Sequence, residues 1–228
     1  TKAADKTDKP IVIKRLQFKR DGEGYLREIR SHIHVFDVQA KKSIQLTSGP
    51  FDDGEPDWSP DGTLVAFSSN RTLPDPDRSQ DTDIFVVPAK GGVPRAIVKS
   101  PRAETSPRFS PDGKLIAYVA SGDPKDMWYG ASHIAVAPVG GGSPKALTDT
   151  LDRNVASPRF SADGRSLFFL LEDGGNQPVA RVAVDGGAIE RVVTGERDVA
   201  AFDLGPKDEL VVLESTPLYP AELSLFRD

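Results

Sequence analysis

Asp57-Trp58-Ser59-Pro60-Asp61-Gly62 recurs as Arg108-Phe109-Ser110-Pro111-Asp112-Gly113 and again as Arg159-Phe160-Ser161-Ala162-Asp163-Gly164. The spacing is 51 residues both times, from Trp58 to Phe109 and from Phe109 to Phe160. A weaker echo, Ala201-Phe202-Asp203-Leu204-Gly205-Pro206, comes 42 residues after Phe160. In Ser-Pro-Asp-Gly the proline presets φ, aspartate tolerates the third position and glycine accepts the positive φ that closes the turn. Turns of this kind join neighbouring antiparallel strands.

Each copy has the same sequel. A strand-like run comes first: Leu64–Phe67, Leu115–Tyr118 and Leu167–Leu170. A loop of varying length leads to a second run at 83–87, 133–137 and 179–184, then to a Gly-Gly turn at 91–92, 141–142 and 186–187. A last short strand closes the unit at 95–98, 145–148 and 190–193. Four short strands repeated every ~40–50 residues are the pattern of a β-propeller blade. A β-sandwich gives no reason for self-similarity at a fixed period.

The expected architecture is therefore all-β: a propeller of four-stranded antiparallel blades, about five present and the last incomplete. The blades fall at about 11–47, 55–98, 105–148, 156–194 and 198–228, after a linker or loop at 1–10. Blade one is expected to hold strands near 13–19, 25–30, 32–38 and 43–47. Blade five stops before a fourth strand, and an unfinished blade leaves the unpaired edge that native sheets avoid. The expectation is a segment of a longer, seven- or eight-bladed ring.

Composition narrows the function. The chain has 228 residues with 29 Lys+Arg, 34 Asp+Glu and a formal net charge of −5. Such a mildly acidic balance without basic clusters gives no footprint for nucleic acid. The longest apolar run, Leu115–Ala120, is too short to span a bilayer as a helix, so no membrane partner is expected. Zero cysteines exclude disulfides, a thiol nucleophile and thiolate metal sites. They leave cytoplasm and periplasm equally open. With Thr1 first and Met127 the only methionine, something upstream is expected to have been removed.

The W/F-S-P/A-D-G motif with its strand, Gly-Gly turn and Leu-Thr resembles the TolB-type propeller repeat. Further markers are Ile13-Lys14-Arg15-Leu16 with Asp21–Leu26, His34–Val38 and Gln45-Leu46-Thr47. Phe67–Arg71 with Asp75-Pro76-Asp77 and Asp83–Val87 is another, and Leu151–Val155 a third. Together, over about residues 11–228, they resemble the propeller of acylaminoacyl-peptidase-type enzymes in the prolyl oligopeptidase family of serine peptidases. That resemblance implies a propeller that precedes an α/β-hydrolase domain, caps its active site and limits access to small peptides. The chain itself is expected to lack that domain. A nucleophile elbow needs Gly-x-Ser-x-Gly, and Gly141-Gly142-Ser143-Pro144-Lys145 fails at its last position. No adjacent Glu–Glu pair occurs, which argues against the dipeptidyl-peptidase branch.

No residue is assigned a catalytic role, and no cofactor is expected. The substrate-facing candidates are Arg71, Trp128, Tyr129 and Arg153, because loops on a rigid scaffold carry recognition. Strand order places their long loops on the face opposite the tight Pro-Asp-Gly and Gly-Gly turns. His32 and His34 share one side of a strand, yet no third ligand completes a zinc set. Asp75–Asp83 starts like a calcium loop, but Gln80 stands where glycine is needed and Val86 where the bidentate glutamate belongs. No metal is expected.

The leading function is a non-catalytic gating propeller of an acylaminoacyl-peptidase-like exopeptidase. Its partners would be the hydrolase domain of the same polypeptide and small peptides, and a homo-oligomer is compatible with it. The alternative is a TolB-like protein-interaction scaffold. A self-contained lactonase- or glycosidase-type propeller enzyme is weakest, given three histidines and no metal spacing.

Overall fold

A computed structural model describes residues 10–227, apart from the side chains of Pro124, Met127 and Trp128. The opening segment expected to be a linker lies almost wholly outside the described residues. Three sheets have four antiparallel strands in sequence order. The first holds β5 (Asp53–Trp58), β6 (Leu64–Ser69), β7 (Asp83–Pro88) and β8 (Arg95–Val98). The second holds β9 (Glu104–Phe109), β10 (Leu115–Ala120), β11 (His133–Pro138) and β12 (Lys145–Ala146). The third holds β13 (Val155–Phe160), β14 (Ser166–Leu171), β15 (Val179–Ala183) and β16 (Glu190–Val193). A three-stranded sheet comes next: β17 (Asp198–Leu204), β18 (Leu210–Ser215) and β19 (Glu222–Phe226). These sheets are the blades of a β-propeller.

The chain's first sheet departs from the expected four strands. Only β3 (His34–Asp37) and β4 (Lys42–Gln45) pair there, while β1 (Lys19–Arg20) and β2 (Gly24–Tyr25) make a separate two-residue ladder. Charge explains the difference. Arg15 donates through Nε and Nη2 to both oxygens of Asp77, each at 2.8 Å, and Arg30 donates to Asp52 at 2.7 Å. Residues 15–30 are thereby tied to the loops at 52 and 77 rather than to a strand edge. The Arg15 guanidinium holds the Asp77 carboxyl well below the usual carboxylate range.

Apolar clusters lie between the sheets. Ala66, Ile84 and Val98 meet Ile116, Tyr118 and Ala135. The other face of that second four-stranded sheet presents Ala117, Ile134 and Val136 to Leu167, Phe169 and Val182. Phe168, Leu170 and Val179 then meet Phe202, Leu210 and Val212, and Ile33 with Leu46 covers Val65 and Phe67. The second strands β6, β10 and β14 are apolar on both faces because each face belongs to a different cluster.

The repeated turn is the same object three times. Ser59, Ser110 and Ser161 donate their Oγ to Asp61, Asp112 and Asp163 at 2.6, 2.7 and 2.7 Å. The same Oγ accepts from the N–H of Leu64, Leu115 and Ser166 at 2.9, 3.0 and 2.9 Å. Gly62, Gly113 and Gly164 close the turns at φ +68°, +70° and +72°. In the weaker echo Asp208 takes that left-handed position at φ +61° and accepts from the Ala162 N–H of the preceding turn at 2.8 Å.

Two outcomes are expected. Gly113→Ala forces a Cβ into left-handed backbone at a cost of about 1–2 kcal/mol, lowering the melting temperature by about 2–8 °C; thermal melts check this. The last three-stranded sheet leaves Leu223 and Leu225 75% and 51% exposed. The 228-residue polypeptide expressed alone is therefore expected to self-associate, and a monodisperse monomer by size-exclusion chromatography would refute that.

Candidate functional site

In each four-stranded sheet the first-to-second and third-to-fourth connections are the tight turns, and the remaining connections emerge at the opposite end. That second end carries the loops at 70–82, 121–132 and 149–154. Arg71 sits there, but its guanidinium is turned into the fold. It donates to Asp53 Oδ1 at 2.9 Å and to Ser69 Oγ at 3.2 Å. The same group lies 5.1, 5.4 and 4.8 Å from the ring centroids of Phe51, Phe67 and Phe85. A cation enclosed by three rings and a buried carboxylate is a clamp on its own loop.

Tyr129 is 94% exposed, at the end of a 3-10 helix over Pro124–Tyr129. The Trp128 side chain lies outside the described residues. Arg153, half exposed, holds the Asp152 carbonyl and lies 3.6 Å from Asp173, which Arg191 also engages. Among the described residues no hydrogen bond or ion pair joins Arg71, Tyr129 and Arg153 to one another. They share an end of the sheets without forming one cluster.

The carboxylates of the 75–83 loop do not converge either. Asp75 caps the short helix Pro76–Arg78 by accepting from the Asp77 N–H at 3.1 Å, while Asp77 turns to Arg15 and Arg30. Asp83 and Glu104 are buried, and Glu104 Oε2, Asp83 Oδ1 and Asp81 Oδ1 have no hydrogen-bond partner. Burial, then the Asp81 charge, pushes the Asp83 carboxyl up to about 6. Burial pushes Glu104 up to about 7, opposed by the Ser100 hydroxyl and reinforced by Asp83 and Asp81. Among the described residues no group of three His, Asp or Glu is placed to hold a metal ion. His32 Nδ1 lies 3.1 Å from Asp53 Oδ2, and His133 donates from Nδ1 to the Thr148 carbonyl at 2.9 Å.

The tight-turn end holds a second arrangement. The first strands β5, β9 and β13 lie side by side. Each carries a bulge with a left-handed residue followed by proline: Glu55-Pro56 at φ +52°, Ser106-Pro107 at +54° and Ser157-Pro158 at +55°. Proline fits because the bulge interrupts the ladder and needs no donor there. Beyond the bulges, Asp57, Arg108 and Arg159 line a recess of about 390 Å³ with Pro56, Phe109 and Phe160. The sequence held a signal for this place: the bulge prolines and the residue before each aromatic repeat at the same 51-residue spacing, upstream of the Pro-Asp-Gly motif that sets the fold.

No family model matches the chain. It is 25% identical over 190 residues to dipeptidyl-peptidase 5 from Porphyromonas gingivalis, covering 75% of this chain and 27% of that protein. Among solved structures it is similar to the acylaminoacyl peptidase of Pyrococcus horikoshii, with a TM-score of 0.71 and 20% identity over 98% of this chain and 34% of that one. It is also similar to TolB from Acinetobacter baumannii, with a TM-score of 0.63 and 18% identity over 84% of this chain and 45% of that one. The chain thus has the fold of TolB propellers and of the N-terminal propellers of acylaminoacyl peptidases, and spans about a quarter of the curated relative's length. No helix among the described residues is long and apolar enough to cross a membrane.

The buried carboxylates give a pH dependence. Asp83 and Glu104 hold protons in the fold at pH values where the unfolded chain has lost them. Stability therefore falls as pH rises from the ordinary carboxylate range to about 7 and levels off above it. Glu104→Gln removes the Glu104 share of this decline. Its melting temperature should exceed that of the parent by about 2–4 °C at pH 8, with the gap closing at pH 5. Parallel curves for the two proteins across that range would refute the assignment.

Proposed function

We propose that this propeller gates access to an acylaminoacyl-peptidase-like serine exopeptidase, admitting small peptides to an α/β-hydrolase domain of the same polypeptide. The supporting observation is the match to the P. horikoshii acylaminoacyl peptidase, which takes in 98% of this chain but 34% of that one. A rigid stack of sheets with apolar cores excludes folded proteins by size, while the loops at its long-loop end meet the peptide. In this reading Tyr129 and Arg153 are the peptide-facing residues, and Arg71 holds the 70–82 loop behind them.

A TolB-like interaction scaffold is the second reading, supported by the match to TolB over 84% of the chain. The two readings differ in the polypeptide downstream of the propeller. A Gly-x-Ser-x-Gly elbow there, with later Asp and His, favours the peptidase, and a stop codon soon after one more strand favours the scaffold.

The chain alone should hydrolyse no aminoacyl or acylaminoacyl ester, because it carries no nucleophile elbow. Turnover that survives removal of contaminating peptidases would overturn this. In the full-length enzyme, Tyr129→Ala should raise KM several-fold for peptide substrates and leave kcat and the melting temperature unchanged. An unchanged KM would remove Tyr129 from the peptide path.

A further inference from the structure

The 51-residue repeat builds two neighbouring sheet interfaces on one plan, and they differ in one respect. Between the first and second four-stranded sheets, two carboxylates of β5 are seated on donors of β9. Asp57 Oδ2 accepts from the Phe109 N–H at 2.8 Å, with the Arg108 guanidinium 4.0 Å from Oδ1. Glu55 accepts from the Ser106 N–H at 2.8 Å and from its Oγ at 3.1 Å.

One repeat further on, the donors are kept and the carboxylates are not. Phe160 and Ser157 occupy the places of Phe109 and Ser106, and Arg159 the place of Arg108. The residues that would supply the acids are Arg108 instead of Asp57 and Ser106 instead of Glu55. Among the described residues no side chain accepts from the Phe160 N–H or from the N–H and Oγ of Ser157. Ladder alternation directs the Phe160 N–H away from β14, because Ser161 N donates to Ser166 O and Phe160 faces Leu167 in the next, non-bonded pair.

Charge points the same way. Arg108 and Arg159 face one recess, and each spends one Nη1 hydrogen bond on the carbonyl of its own preceding proline, at 2.8 and 3.0 Å. Their acidic neighbours are beyond hydrogen-bond distance: Asp57 at 4.0 Å from Arg108 and Asp203 at 3.8 Å from Arg159. Burial, then the Arg108 charge, pulls the Arg159 pKa below the usual guanidinium range. The remaining N–H groups form the planar fork that suits a carboxylate.

We infer that the β13 side of the recess lined by Asp57, Arg108 and Arg159 is a carboxylate-binding site, in which Arg108, Arg159 and the Phe160 N–H receive the carboxylate of a peptide, either its C-terminus or an acidic side chain. Asp57 shows the pose one repeat earlier: one oxygen on the backbone N–H of the aromatic residue, the other towards the arginine before it. The site lies at the tight-turn end, away from the loops of the proposed peptide path, and does not depend on the peptidase reading.

Ligand-observed saturation-transfer NMR on the 228-residue chain tests this with acetyl-dialanine and its C-terminal amide. The acid should bind with millimolar affinity, at least tenfold more tightly than the amide, and added salt should weaken it. Arg159→Gln should lose that preference by removing the fork. Arg108→Asp should lose it differently, by supplying on the chain itself the carboxylate that Asp57 supplies one repeat earlier. Circular dichroism establishes that each variant is folded. Acetyl-aspartate amide, which carries only a side-chain carboxylate, and acetyl-dialanine together separate the two sources of the acid. Equal binding of acid and amide by the parent chain overturns the proposal whatever the variants do. A preference that survives in both folded variants overturns it as well, and inorganic phosphate displacing the peptide at lower concentration than acetate does would overturn the choice of carboxylate.

Discussion

Burial of one sheet's apolar face against the next is the constraint on which the rest depends. A blade of this composition cannot hide its own faces: Phe67, Ile116, Phe169 and Val212 are covered only because a neighbouring sheet lies against them. Each middle sheet is apolar on both sides and serves two clusters. At ~25 cal/mol per Å² of apolar surface, such faces carry most of the favourable energy of the stack. The polar network has to fit around that stacking.

The close approach of the first strands has two consequences. They lie side by side, and each strand bends by a bulge at a left-handed residue followed by proline. The bend turns the next side chain, Asp57, Arg108 or Arg159, towards the shared recess. Neighbouring units are then locked together, turn to turn by the Ala162 N–H on Asp208 and strand to strand by the Phe109 N–H on Asp57. Non-glycine residues tolerate left-handed backbone there because the flanking sheets fix it from both sides.

The sequence made the stacked sheets legible because turn chemistry and strand alternation are local. Ser59, Asp61 and Gly62 announce their turn without reference to anything distant, and Leu64–Phe67 announces the strand after it. Blade one was not legible in the same way. Whether residues 13–30 pair as strands depends on Asp52 and Asp77, which capture Arg15 and Arg30 from far along the chain. Arg71 has the same difficulty: an arginine in a loop reads as surface-facing, and only the assembled fold surrounds it with Phe51, Phe67, Phe85 and Asp53. The buried acids Asp83 and Glu104 sit on adjacent sheets and meet only through packing.

Repeats that fold alike need not do alike, and the interfaces on either side of β9 show how little change is required. The backbone donors come with the fold: the bulge, the aromatic position and the ladder phase are common to β9 and β13, so the N–H groups of Phe109 and Phe160 are presented whatever the side chains. The difference lies in the residue one repeat upstream. Where that residue is Asp57, the donor is satisfied within the chain and the interface is locked. Where it is Arg108, the acceptor becomes a second cation, and the same backbone geometry changes from an internal lock into a cradle for an outside anion. A substitution of this sort leaves the apolar clusters intact, because positions 57, 108 and 159 line the recess rather than the cores. The stacking that holds the propeller together is therefore free of the positions at which binding can be altered.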